Sequence, residues 1–160
     1  MTRKFILPTL AVLLAAGGCS ATIPTDPDGT LDRVSGGTLR VGVSPNPPWT
    51  DLPGGTEADP AGTEVELVQR FAESVDAEIV WVPGGEEDLI GQLEHDELDL
   101  VIGGLTAKSP WSSKVALTYR YTSTTGPRGE KELHVMAVPM GENAFLAELE
   151  RFLLDQELPV

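Results

Sequence analysis

At 160 residues and a net charge of −14, the chain is long enough to bury one domain's core and too acidic to neutralise a phosphate backbone. Hydrophobic residues at 41% and charged residues at 22% are ordinary for a globular protein, and 17 glycines and 13 prolines point to many turns and at least one unstructured stretch. The basic patches of a nucleic-acid binder are absent, and an acidic surface of this kind serves solubility first.

Arg3 and Lys4 open a positive segment, Phe5 to Ala16 form an apolar stretch, and Ala15-Ala16-Gly17-Gly18 lead to Cys19. The stretch is short for a membrane span. The pattern resembles a bacterial lipoprotein signal, which implies removal of residues 1–18 and a lipid on Cys19. Ala16 stands where such signals usually carry a larger aliphatic residue. Cys19 is the only cysteine, so no intrachain disulfide can form. Residues 19–37, polar and broken by Pro24 and Pro27, are expected to be the lipidated cysteine and a flexible tether, and residues 38–158 the folded domain.

Thr38 to Val43 (TLRVGV) reads as a first strand running into Ser44-Pro45-Asn46-Pro47-Pro48-Trp49, a stiff loop with one large aromatic. Asp51 to Gly62 continues the loop. Thr63 and Glu66 fit a capping box, with Thr63 as N-cap, and Val65, Val68, Phe71, Ala72 and Val75 mark the apolar face of the helix that follows. Glu78 to Val82 reads as a second strand, Glu86 to His95 as a shorter helix, and Leu98 to Ile102 as a central strand buried on both faces. This β-α-β-α-β order predicts parallel strands with right-handed crossovers. Lys108 to Lys114 predicts a helical turn, Val115 to Thr122 a strand, Ser123 to Glu130 a loop and Leu133 to Val138 a further strand. Ala144 to Asp155, with Asn143 as N-cap, is the strongest helix, its Phe145, Leu146, Leu149, Phe152 and Leu153 forming a core stripe.

The order of these motifs resembles the extracytoplasmic solute-binding proteins of polar amino acid ABC importers. The resemblance rests on the opening strand Leu39 to Val43, the Pro48-Trp49 loop and the helix start Gly62-Thr63-Glu64-Val65-Glu66-Leu67. It continues through Asp99 to Thr106 and closes on His134 to Leu154. It implies a three-layer α/β/α fold around a mostly parallel five-stranded sheet, ordered second, first, third, last, fourth, with one antiparallel strand. Members of that family have two lobes joined by two hinge strands. Here the two corresponding strands follow each other almost directly, so a single lobe is expected, with a hairpin where the second lobe would begin. The family holds an amino acid's carboxylate with an arginine shortly after the Gly/Ser-Leu-Thr turn; Trp111 stands at that position.

In an open α/β sheet the ligand edge is the carboxyl end of the strands. The candidate ligand contacts are therefore Asn46 and Trp49 after the first strand, and Gly103, Gly104, Thr106, Lys108 and Trp111 after the third. Trp49 and Trp111 would form an aromatic patch for a ligand or partner. Gly103 and Gly104 would offer backbone donors, Thr106 a hydroxyl, and Lys108 a point charge. His95 and His134 have no suitably spaced nucleophile, and strand alternation would splay His95, Asp96, Glu97 and Asp99. No enzyme activity, cofactor or metal is expected. The expectation is an extracytoplasmic, periplasmic lipoprotein that binds a small polar solute and serves an ABC permease. The alternative is a one-lobe interaction lipoprotein that docks on a membrane complex without a solute.

Overall fold

Three parallel strands carry the fold: β1 (Thr38–Val43), β2 (Glu78–Pro83) and β3 (Leu100–Ile102). The computed structural model describes residues 25–55, 58–156 and 158, so Cys19 and the segment before it lie outside the described residues. Along β1, Leu39, Val41 and Val43 point to one face and are fully buried. On the other face Gly42 leaves room for a helix. A Cβ there would lie 2.8 Å from Leu98 and 3.1 Å from both Leu89 and Val101.

The helices cover both faces. α1 (Thr30–Val34), α2 (Thr63–Ser74) and α4 (Asn143–Leu154) share one core with Leu39, Val41, Val43, Leu100 and Ile102. At its centre Phe71 meets Phe145 and Phe152 with ring centroids 5.9 and 5.5 Å apart. α3 (Glu86–Glu94) covers the opposite face, where Leu89, Ile90 and Leu93 pack on Val101, Val115 and Ala137. The result is the three-layer α/β/α lobe expected from the motif order.

The remaining strands are β4 (Ala116–Leu117), β5 (Thr122–Thr125), β6 (Lys131–His134) and β7 (Ala137–Val138). The main sheet runs β2-β1-β3-β7-β4, with β7 antiparallel to both neighbours. This is the anticipated order. The two strands expected at 115–122 and 133–138 are each divided, however. Their inner halves stay in the sheet as β4 and β7, and their outer halves form a separate antiparallel ribbon, β5–β6. Thr118 and Met136 still pair across the break, and Tyr121 N–H donates to the His134 carbonyl, so the ribbon is a bent continuation of the same hairpin. Gly126 N–H donates to the Glu130 carbonyl at 2.7 Å and closes it. The helical turn expected near Trp111 is a 3-10 turn, Pro110–Ser113.

Three local expectations are corrected. The tether expected over 19–37 is folded from Thr25 onward, because Val34 is a core residue and Thr30 is buried. Thr63 is not the N-cap of α2. Gly62 takes that place, with Glu66 N–H bonded to its carbonyl and φ at 125°. A Cβ on Gly62 would sit 2.3 Å from the Trp49 carbonyl oxygen, so only glycine fits. Asn143 does not cap α4 either: the free amides of Asn143 and Ala144 donate to the Thr25 carbonyl, and that of Phe145 to the Asp26 carboxylate. A distant segment does what a local side chain was expected to do.

Candidate functional site

The loops after β1 and β3 meet at the carboxyl edge of the sheet, and a buried carboxylate fixes their junction. Glu64, in the first turn of α2, is wholly inaccessible to solvent. Its Oε2 accepts the N–H groups of Gly103 and Gly104, each at 2.8 Å, and its Oε1 accepts the Tyr121 hydroxyl. Burial pushes the Glu64 carboxyl above the usual range, against the three donors, which favour the charged form. Burial and the Glu64 charge together raise the Tyr121 phenol, so it stays a donor. The backbone donors expected to serve a ligand are therefore used internally, since an unpaired carboxylate at this depth would cost several kcal/mol, on the order of its desolvation. Gly103 and Gly104 shape the edge and do not present their amides at it.

Asn46 and Trp49 close over that turn. The Asn46 side-chain amide donates to the Gly103 carbonyl at 2.8 Å. Gly104 has φ 66°, and a Cβ on it would lie 2.5 Å from Trp49 Cδ1 and 2.6 Å from Asn46 Nδ2. The Trp49 ring, half-buried, lies over the His134 imidazole with centroids 3.9 Å apart and planes inclined by 34°. His134 is itself buried. Its Nε2 is 2.8 Å from the Thr124 hydroxyl, and its Nδ1 has no hydrogen-bond partner among the described residues. Burial lowers the imidazole pKa, against the charge of Glu132 and the main chain of Gly104 and Leu105.

Thr106 faces His134 across a short antiparallel bridge, and Lys108 follows it, exposed. Asn46, Trp49, Gly103, Gly104, Thr106 and Lys108 thus gather along one edge. Trp111 does not join them. Its indole N–H donates to Glu86 at the start of α3, and its ring packs against the core on that side. The two tryptophans form no common patch, because the 3-10 turn directs Trp111 toward α3.

Sequence reasoning missed Glu64, Tyr121 and His134 as parts of this edge. Glu64 carried a legible signal. It falls on the apolar stripe of α2, three and four residues before the buried Leu67 and Val68, whereas the exposed Glu66 lies off it. A carboxylate on a core stripe needs internal partners. Tyr121 and His134 carried no comparable signal, because their roles depend on the hairpin's path. Among the described residues no group of three or more His, Cys, Asp and Glu is placed to hold a metal ion. Among them, too, no helix is long and apolar enough to cross a membrane.

Comparison with known proteins places the fold. The chain is 30% identical over 158 residues to membrane-bound lytic murein transglycosylase F of Yersinia pestis (strain Pestoides F), covering 89% of this chain and 32% of that protein. The same enzyme of Yersinia pseudotuberculosis serotype I (strain IP32953) matches equally. The chain therefore spans about a third of the length of these curated relatives. Among solved structures, a mutant of the arginine-bound form of domain 1 from TmArgBP superposes with a TM-score of 0.67 at 26% identity, over 77% of this chain and 95% of that one. The ancestral cationic amino acid solute binding protein AncCDT-1 shares the fold at 14% identity, with a TM-score of 0.65 over 79% of this chain and 91% of that one. The family model for bacterial extracellular solute-binding proteins, family 3, matches residues 39–157, from β1 to beyond α4. With the sheet order and nearly the whole described chain inside that match, the chain belongs to the bacterial extracellular solute-binding proteins, family 3.

Proposed function

We propose that this chain is a non-catalytic, extracytoplasmic solute-binding module, held to a membrane by a lipid on Cys19, that takes a small polar solute of the amino-acid class. The solute sits at the edge formed by Asn46, Trp49, Gly104, Thr106 and Lys108, and the module serves an ABC permease. One observation carries this reading: the domain 1 of TmArgBP to which the chain is similar is an arginine-bound form of a single domain. A second lobe is then no precondition for holding an amino acid. Trp49 gives a face for the apolar part of the solute, and Thr106 and Lys108 give polar partners.

Two features favour a second reading, docking on a membrane complex without a solute. The amides of Gly103 and Gly104 are committed to Glu64, and Trp111 is committed to Glu86. Thermal melting of the purified mature chain against the standard L-amino acids separates the two. A solute at a hundredfold excess over its Kd adds about 2.7 kcal/mol of stability and a clear rise in midpoint. A rise that disappears in Trp49→Ala and Thr106→Val supports the solute site. A flat panel, with cooperative unfolding throughout, sinks it and turns the search to protein partners.

A further inference from the structure

The β5–β6 ribbon stands where the hinge strands of a two-lobed member would lead into the second lobe, and it is stitched to the candidate edge. Val135 N–H donates to the Leu105 carbonyl at 3.0 Å, and Ala107 N–H to the Leu133 carbonyl at 2.8 Å. Thr106 and His134, between those two bonds, form the pair that exchanges no hydrogen bonds and whose side chains come closest. A cleft of about 180 Å³ opens between the ribbon and this loop.

The lining of the cleft is unusual for so acidic a chain. It includes Lys108, Arg128 and Lys131, three of the 11 Lys and Arg in the sequence, together with Glu130 and Glu132. Arg128 and Glu130 serve each other: the Arg128 N–H donates to Oε2 at 3.0 Å, and the guanidinium lies 3.6 Å from Oε1. Lys108 and Lys131 are exposed and, among the described residues, take part in no ion pair. A carboxylate-bearing solute at this edge cannot use Trp111, an indole already bonded to Glu86. Besides Arg128, which pairs with Glu130, the cations lining the cleft are the two lysines, and Glu132 supplies the opposite charge.

We infer that the ribbon is the second wall of the solute site, and that Lys108 and Lys131 hold the carboxylate of a zwitterionic solute while Glu132 faces its ammonium. This rests on the solute-binding reading above and adds the solute's charge pattern and the residues of the ribbon that read it. Two ammonium groups act as point charges, so selectivity falls on the presence of the carboxylate more than on its orientation.

The test is calorimetric titration of the purified mature chain with each standard L-amino acid and, for those that bind, with the corresponding L-amino acid amide, which lacks the carboxylate. Wild type should bind the amide about tenfold or more weakly than the acid. Lys131→Met and Glu132→Gln should each weaken the acid by about tenfold, and Lys131→Met should also remove most of the preference for acid over amide. Both positions lie on the ribbon surface, and unchanged circular dichroism melts of the variants without solute would show that the fold is intact. If Trp49→Ala and Thr106→Val abolish binding while Lys131→Met and Glu132→Gln stay within about twofold of wild type, the ribbon is no wall and only the edge site survives. If no amino acid binds wild type, both inferences fall together.

Discussion

Glu64 and Asp99 are both fully buried carboxylates at opposite ends of the sheet, and their pKa values move in opposite directions because burial prevails over the partners at one and the partners over burial at the other. Asp99 precedes β3. Burial alone would raise it, but Arg40 bonds it through Nε and NH2 at 3.1 and 2.6 Å, Arg33 pairs with it at 2.8 Å, and the Arg40 amide adds a further bond at 2.8 Å. These hold the carboxyl below its ordinary 3.8. Glu64 receives only neutral donors, and there burial prevails. The linkage signs follow. Asp99 contributes stability that is complete above its unfolded value and lost as pH falls through its folded one. Glu64 contributes stability that is complete below its unfolded value and lost as pH rises through its folded one. Urea unfolding across pH should show Asp99→Asn losing about 2–3 kcal/mol at neutral pH, modest because both arginines are partly exposed, with a flattened acid limb. Glu64→Gln, which keeps an acceptor for the two glycine amides, should instead remove the decline toward higher pH. Equal pH profiles for wild type and both variants would mean that neither carboxyl is shifted. Glu64→Ala is a harsher change: it orphans two backbone donors and a phenol and should cost about 3 kcal/mol or more at any pH.

At the scale of elements, the parallel strands and α2, α3 and α4 were legible because each carries a strong internal pattern. α1 was not. Five residues give no periodicity, and the helix borrows its stability from groups far along the chain. Glu142 accepts the amides of Asp28 and Thr30, each at 3.0 Å, across 114 and 112 residues, and Asp26 accepts that of Leu31. In return, Thr25 and Asp26 cap α4. The polar residues that made 25–37 look like a tether are the ones that build this reciprocal clamp. The bent hairpin was hidden for a related reason: Val115 to Thr122 is uniformly strand-like, and the break shows only through which partner each half finds. Glu142→Ala should therefore unpick α1 although the residue lies outside it. Two orphaned amides predict a loss of about 2–4 kcal/mol. Hydrogen exchange should accelerate at Thr30 to Val34 and in the first turn of α4 before it does in β1. Unchanged protection at both helices would show that the clamp contributes nothing.

For the whole molecule, the consequence of one lobe is the loss of a hinge. The paired strands that lead out of the sheet, β4 with β7 and then β5 with β6, turn back on themselves at Gly126 to Glu130 and are bonded to the loop at Leu105 and Ala107. Both walls of the proposed cleft belong to one bonded unit. On the solute-binding reading proposed above, capture works through preorganisation: Glu64 holds the Gly103–Gly104 turn, and Trp49 is braced on His134. Such an open site buries little of its solute and should bind weakly and exchange fast. It should also bind without a change of shape. A folded domain of roughly 130 residues has a radius of gyration of about 14 Å, and small-angle scattering with and without saturating solute should agree to within about 1 Å, the displacement typical of preorganised partners. A contraction of several ångströms would mean that the ribbon swings as a lid, and its bonds to Leu105 and Ala107 would then have to break in the open form.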